Sequence, residues 1–179
     1  RQRAVHGPGR GAAHTGRRPG EPETRRRGVG AIHASSRGPT LDDEGVGLSE
    51  SMAISLDLAK KQAGPLYPAD PRHEALAMQW SFWETDRLDR QIVDYQRHTS
   101  QLPEGERKPE LAAKAWNEVV QALDVLEPAL KKSKWLAGAD FSVGDLNVAS
   151  ALYRALAVDL AKWPQVRTWL TTCWERPAA

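Results

Sequence analysis

Phe141-Ser142-Val143-Gly144-Asp145-Leu146 is the stretch from which the rest of the chain can be read. Ser142 stands as a helix N-cap, placed to accept from the amide of Asp145, and Asp145 can reach back to the amide of Ser142. Phe141 and Leu146 hold the two positions of a hydrophobic staple. Asp replaces the usual Glu of the box, but its short carboxylate can still serve. Such a device is worth on the order of 1 kcal/mol per cap. The role this assigns to Ser142 and Asp145 is structural.

Downstream, the spacing predicts a helix from Ser142 to about Val158, and a last helix from Pro164, a first-turn proline, to about Trp174. Val166, Trp169, Leu170 and Cys173 recur on one side of that last helix. Upstream, Leu111, Ala115, Val119, Leu123, Leu126 and Leu130 mark a helix from about Pro109 to Lys131. A longer one runs from about Arg72 to Thr99, with Leu76, Trp80, Trp83, Leu88, Ile92 and Tyr95 at helical spacing. Residues 65–71, with three prolines, form a linker. Before it, Ser49-Glu50-Ser51 opens a helix to about Lys61. Gly38-Pro39-Thr40-Leu41 reads as an extended stretch, Asp42-Asp43-Glu44-Gly45 as a turn, and Val46-Gly47-Leu48 as a return strand.

The first 38 residues are of another kind. They hold nine Arg, eight Gly and no aromatic residue, whereas every Trp, Tyr and Phe lies at or after Tyr67. Such a composition cannot bury enough apolar surface to offset its ordering entropy, so 1–37 is expected to be disordered. A second explanation fits equally: GC-rich DNA read in a wrong frame, or upstream of a true start, yields the same residues. The nucleotide sequence decides between them. The segment carries +7, and residues 39–179 carry 16 basic against 21 acidic residues, or −5. The basic pI near 8.8 therefore comes from the tail, and it is no argument for specific nucleic-acid binding by the folded part.

Cys173 is the single cysteine, so no intrachain disulfide forms, in keeping with a reducing, cytoplasmic setting. No apolar run approaches a membrane span. His73 and His98 lack paired ligand spacing, and no metal site is expected.

Trp135-Leu136-Ala137-Gly138-Ala139-Asp140-Phe141-Ser142-Val143-Gly144-Asp145 resembles the "YLxGxxFSxAD" segment of the glutathione transferase C-terminal domain. Trp163-Pro164-Gln165-Val166-Arg167-Thr168-Trp169 and Arg176-Pro177-Ala178 resemble that family's closing helix and its end. Pro39-Thr40-Leu41 with Leu48-Ser49-Glu50-Ser51-Met52-Ala53-Ile54 is similar to the second half of its thioredoxin-like domain. The resemblance covers about residues 38–179. The fold it implies is mainly α. A glutathione-transferase-like bundle over 72–179 follows a truncated thioredoxin-like ββα remnant over 38–64.

The resemblance implies conjugation of glutathione, as substrate and not as cofactor, to a hydrophobic electrophile, in a homodimer. It assigns Glu50 and Ser51 to the γ-glutamyl end of glutathione. A helix N-terminus suits that carboxylate, through its free N–H groups and its dipole. Local sequence alone favours an ordinary capped helix start, and the family context reverses that preference. Pro39 aligns with the family's cis-proline beside the cysteinyl part, although Gly38 replaces the usual Val or Ile before it. Trp80, Trp83 and Arg87, at i, i+3 and i+7, are candidates for an electrophile pocket; core or dimer packing is the competing role for both tryptophans. The family places its thiol-activating Ser, Tyr or Cys after the first strand. Residues 1–38 offer only Thr15, Thr24, Ser35 and Ser36, none in that context, so no catalytic residue is assigned. An impaired transferase, a non-catalytic interaction domain and an inactive truncated or frameshifted product all remain open on these residues.

Overall fold

The computed structural model describes residues 3–6, 39–62, 64–153 and 159–177. Its two compact units divide between Leu58 and Ala59. That division falls within a helix, ahead of the proline-rich linker that the sequence marks as the boundary.

In the first unit, three antiparallel strands lie in chain order: β1 (Arg3–His6), β2 (Pro39–Asp43) and β3 (Val46–Ser49). β1 departs from the expectation that 1–37 forms no regular element. Its four residues pair with β2 in the register Arg3↔Asp42 to His6↔Pro39. Strand pairing is made by backbone groups, so a segment poor in apolar side chains can still fill a sheet edge. The rest of the arginine-rich segment lies outside the described residues. The β2–β3 hairpin turns on Glu44 and Gly45, with φ of 53° and 88°. Two positive angles make the tight turn that matches strand twist, which Gly45 adopts without strain. The Gly45 amide also donates to Asp42 Oδ1 at 3.1 Å. Leu41 is buried on β2, and α1 (Ser51–Lys61) follows β3. The ββα order read from the sequence is present.

The second unit is helical. Asp70 caps α2 (Pro71–Glu84), its carboxylate accepting from the amides of Arg72 and His73 at 3.1 Å each. Pro71 takes the first helical position, where its missing N–H costs nothing. The helix continues through a π turn (Thr85–Asp89) into α3 (Arg90–Gln96) and a second π turn (Arg97–Gln101). Then come α4 (Pro109–Lys132), α5 (Val143–Tyr153) and α6 (Pro164–Trp174). α5 is the central helix: Val143, Gly144, Asp145, Asn147, Val148, Ala149, Ala151 and Leu152 are all buried. Around it pack Leu88, Ile92, Leu123, Leu126, Val166 and Trp169.

The buried stripes shift by one residue at two places. Leu76 is 37% exposed while Ala77 is buried, and Leu111 is 41% exposed while Ala112 is buried. In both cases the smaller side chain takes the inner position. At Ala77 the reason is the close approach of Gly144, where a β-carbon would stand 3.0 Å from the Ala77 Cα. Backbones that near favour a small side chain between them.

Candidate functional site

Two polar centres emerge, one in each unit. The first gathers Pro39, Glu50 and Ser51. Thr40 pairs with Ser49 across the hairpin, so the start of β2 and the end of β3 meet at one end of the sheet. Pro39 stands there, with Glu50 and Ser51 the next residues after β3. Glu50 has φ of 74°, in the left-handed region that a side chain with a β-carbon rarely adopts. That conformation costs on the order of 1–3 kcal/mol and persists only where its surroundings impose it. Here it turns the chain sharply from β3 into α1. The Glu50 carbonyl accepts the first helical bond, from the Ile54 amide at 3.0 Å. Ser51 is therefore the first helical residue, and it is exposed. The amides of a first turn have no partner within the helix, and the dipole adds partial positive charge. The arrangement offers a carboxylate-sized anion both backbone donors and the Ser51 hydroxyl. The peptide bond before Pro39 reaches Gly38, outside the described residues, as does the expected cis geometry.

The second centre is Asp145, fully buried and held by four donors. The Leu136 amide reaches Oδ1 at 2.9 Å and the Trp169 indole reaches it at 2.9 Å. The Ser142 amide and hydroxyl reach Oδ2, both at 3.0 Å. Burial pushes the Asp145 carboxyl above its usual range, against the pull of these donors. The box differs from the sequence reading in one bond: Ser142 Oγ accepts from Gly144, at 3.2 Å, and not from residue 145. Phe141 and Leu146 also part company. Leu146 is 41% exposed, while the Phe141 ring meets Trp135 edge-on at 5.2 Å and carries the Arg176 guanidinium at 3.9 Å. These bonds join the loop before α5, the first turn of α5 and α6.

Trp80, Trp83 and Arg87 do not form one exposed surface. Trp80 is buried in the core, and Trp83 packs half-buried against it, ring edge to face at 5.1 Å. Arg87 is exposed and lies 2.8 Å from Asp86. The buried stripe runs through Ala77, Ser81, Glu84 and Leu88, which leaves Trp83 and Arg87 on its flank. Trp80 thus takes the packing role.

Cys173 is buried, and its thiol is pushed up to about 12 by desolvation, with the nearby Asp145 charge adding to the shift. A thiol so placed is no nucleophile at neutral pH. His73 Nδ1 lies 3.0 Å from Asp70, and His98 Nδ1 accepts from the Lys108 amide at 3.4 Å. Among the described residues no cluster of three His, Cys, Asp or Glu could hold a metal. Among them too, no helix is long and apolar enough to cross a membrane.

Sequence reading missed the long-range polar pairs. Asn147 donates to Ser81 Oγ at 2.8 Å, both buried. Glu127 of α4 caps α6 by accepting from the amides of Gln165 and Val166 at 3.1 Å. Trp163 Nε1 donates to Asp124 at 2.7 Å. A polar residue inside an apolar helix, such as Asn147, was the available signal.

Residues 75–177 match the family described as "Glutathione S-transferase, C-terminal domain". The chain is 34% identical to glutathione S-transferase D7 of Anopheles gambiae, over 75% of this chain and 62% of the relative. It is 30% identical to the disulfide-bond oxidoreductase YfcG of Escherichia coli, over 78% and 65% respectively. It therefore spans just under two thirds of the length of these relatives. Among solved structures, the theta class glutathione S-transferase of Xanthomonas axonopodis pv. citri with glutathione bound aligns with a TM-score of 0.74. The two are 30% identical, and the alignment covers 78% of this chain and 75% of that one. With the family's C-terminal domain matched over more than half of its residues, this chain belongs to the glutathione S-transferase family.

Proposed function

We propose that this chain binds glutathione through the start of α1 and conjugates it to electrophiles only weakly. The left-handed Glu50 ahead of exposed Ser51 carries the reading. It aims the free amides of a helix N-terminus at one end of the hairpin, beside Pro39, where a γ-glutamyl carboxylate is favoured. The glutathione-bound state of the Xanthomonas protein supports the same ligand class. Glutathione is the substrate, and no resident cofactor is invoked. In conjugation its thiol gives up a proton, its sulfur forms the bond to the electrophilic carbon, and the leaving group departs. The family's thiol-activating residue follows the first strand. Residues 1–38 offer only Thr15, Thr24, Ser35 and Ser36, none in that context by sequence, and where such a donor is missing little thiolate forms. Trp80, buried in the core, is not available for the electrophile contact that the resemblance assigns it.

A homodimer is part of the proposal. Met78 and Phe82 stand one turn apart on α2, 37% and 60% exposed, a pair better buried against a second copy. A cytoplasmic setting suits the single buried thiol.

The test is a calorimetric titration with glutathione on wild type and Ser51→Ala, with a conjugation assay on the same samples. Wild type should bind. Removing the hydroxyl deletes a hydrogen bond to a charged group, about 1.5–3 kcal/mol, and should weaken binding roughly tenfold to a hundredfold. The amides and the dipole keep some affinity. Conjugation should stay near background. Robust turnover would overturn the weak-catalysis half of the proposal, and absence of binding would overturn the whole. Sedimentation of wild type and Phe82→Glu tests the dimer.

A further inference from the structure

We draw no further inference here: the strongest candidate, the depression beside α6 bounded by Leu160, Arg167, Leu170, Thr171 and Trp174, sets Asp159 and Glu175 against Arg167 among the described residues, and nothing in the structure shows what covers it.

Discussion

The Trp169 indole donates to Asp145 Oδ1 at 2.9 Å, joining the last helix to the first turn of the central one inside a closed core. Three further donors converge on the same carboxylate, from Leu136 and, twice, from Ser142. One buried group thus ties together the loop before α5, the cap of α5 and the inner face of α6. Trp169→Phe keeps most of the buried area and removes this donor. It is expected to cost about 1–3 kcal/mol, the range for a buried polar group deprived of a partner. Urea unfolding checks it, and an unchanged midpoint would count against the role given to this bond.

Asp145 also sets a pH dependence. Burial raises its carboxyl in the folded chain above the ordinary 3.8. The sign follows from linkage. A group whose folded value is raised contributes stability that is fully present below the unfolded value and lost as pH rises through the folded one. Asp145→Asn has no such proton to lose. The stability gap between wild type and Asp145→Asn should therefore shrink as pH rises from the unfolded value through the raised folded value. Paired urea melts across that window read it directly; a gap that widens with pH would reverse the assignment.

Ser142→Ala removes an oxygen that accepts from Gly144 and donates to Asp145. A loss of about 1–2 kcal/mol is expected, with glutathione affinity unchanged. Melts and titrations on one preparation separate the two effects. Lost affinity with full stability would contradict a purely structural cap.

Gly144→Ala places a β-carbon 3.0 Å from the Ala77 Cα and 3.2 Å from its carbonyl oxygen. The obstacle is backbone, so α2 and α5 must separate, at a cost of about 1–3 kcal/mol. Gly105→Ala meets nothing within 4 Å and serves as the control, expected within about 0.5 kcal/mol of wild type. Equal melting of the two variants would show that the helices are not closely apposed there.

Tyr67 donates to Glu74 at 2.6 Å, fastening the proline-rich linker to α2. The bond to Glu74 is the main reason that the phenol is pushed up to about 12, with burial and the Glu74 charge adding to it. The same bond draws the Glu74 carboxyl below its ordinary value. The Tyr67 contribution to stability is fully present below 10.0 and lost as pH rises through about 12. That of Glu74 is present above its unfolded value and lost as pH falls through the folded one. Tyrosinate absorbance should show one of the three tyrosines ionising near 12, and Tyr67→Phe should abolish that late step. Absence of a separate late step would rule the clasp out.

Much of the architecture was legible because its signals are local. The hairpin at Asp43-Glu44-Gly45, Pro164 at the start of α6 and the Ser142–Asp145 box each act over four residues or fewer, a range over which sequence spacing determines geometry. The placing of Glu50 and Ser51 at a helix start was legible for the same reason. The left-handed backbone at Glu50 was not, because glutamate carries no preference for it and the passage from β3 into α1 imposes it.

By itself, then, the sequence determined which segments are helical, where they begin and which family they resemble, since propensity, capping and apolar period are properties of neighbours. The tertiary structure alone decided which polar groups share a partner. Trp169 reaches Asp145 across 24 positions, Gln165 is capped by Glu127 across 38, and Asn147 meets Ser81 across 66. It also decided that Ala77 and not Leu76 faces inward, and that Trp80 packs while Arg87 is left in solvent. Helical period confines a residue to a face about a quarter-turn wide. Which edge of that face is buried depends on how closely the opposing backbone approaches, and at Gly144 it approaches to a distance that few β-carbons meet.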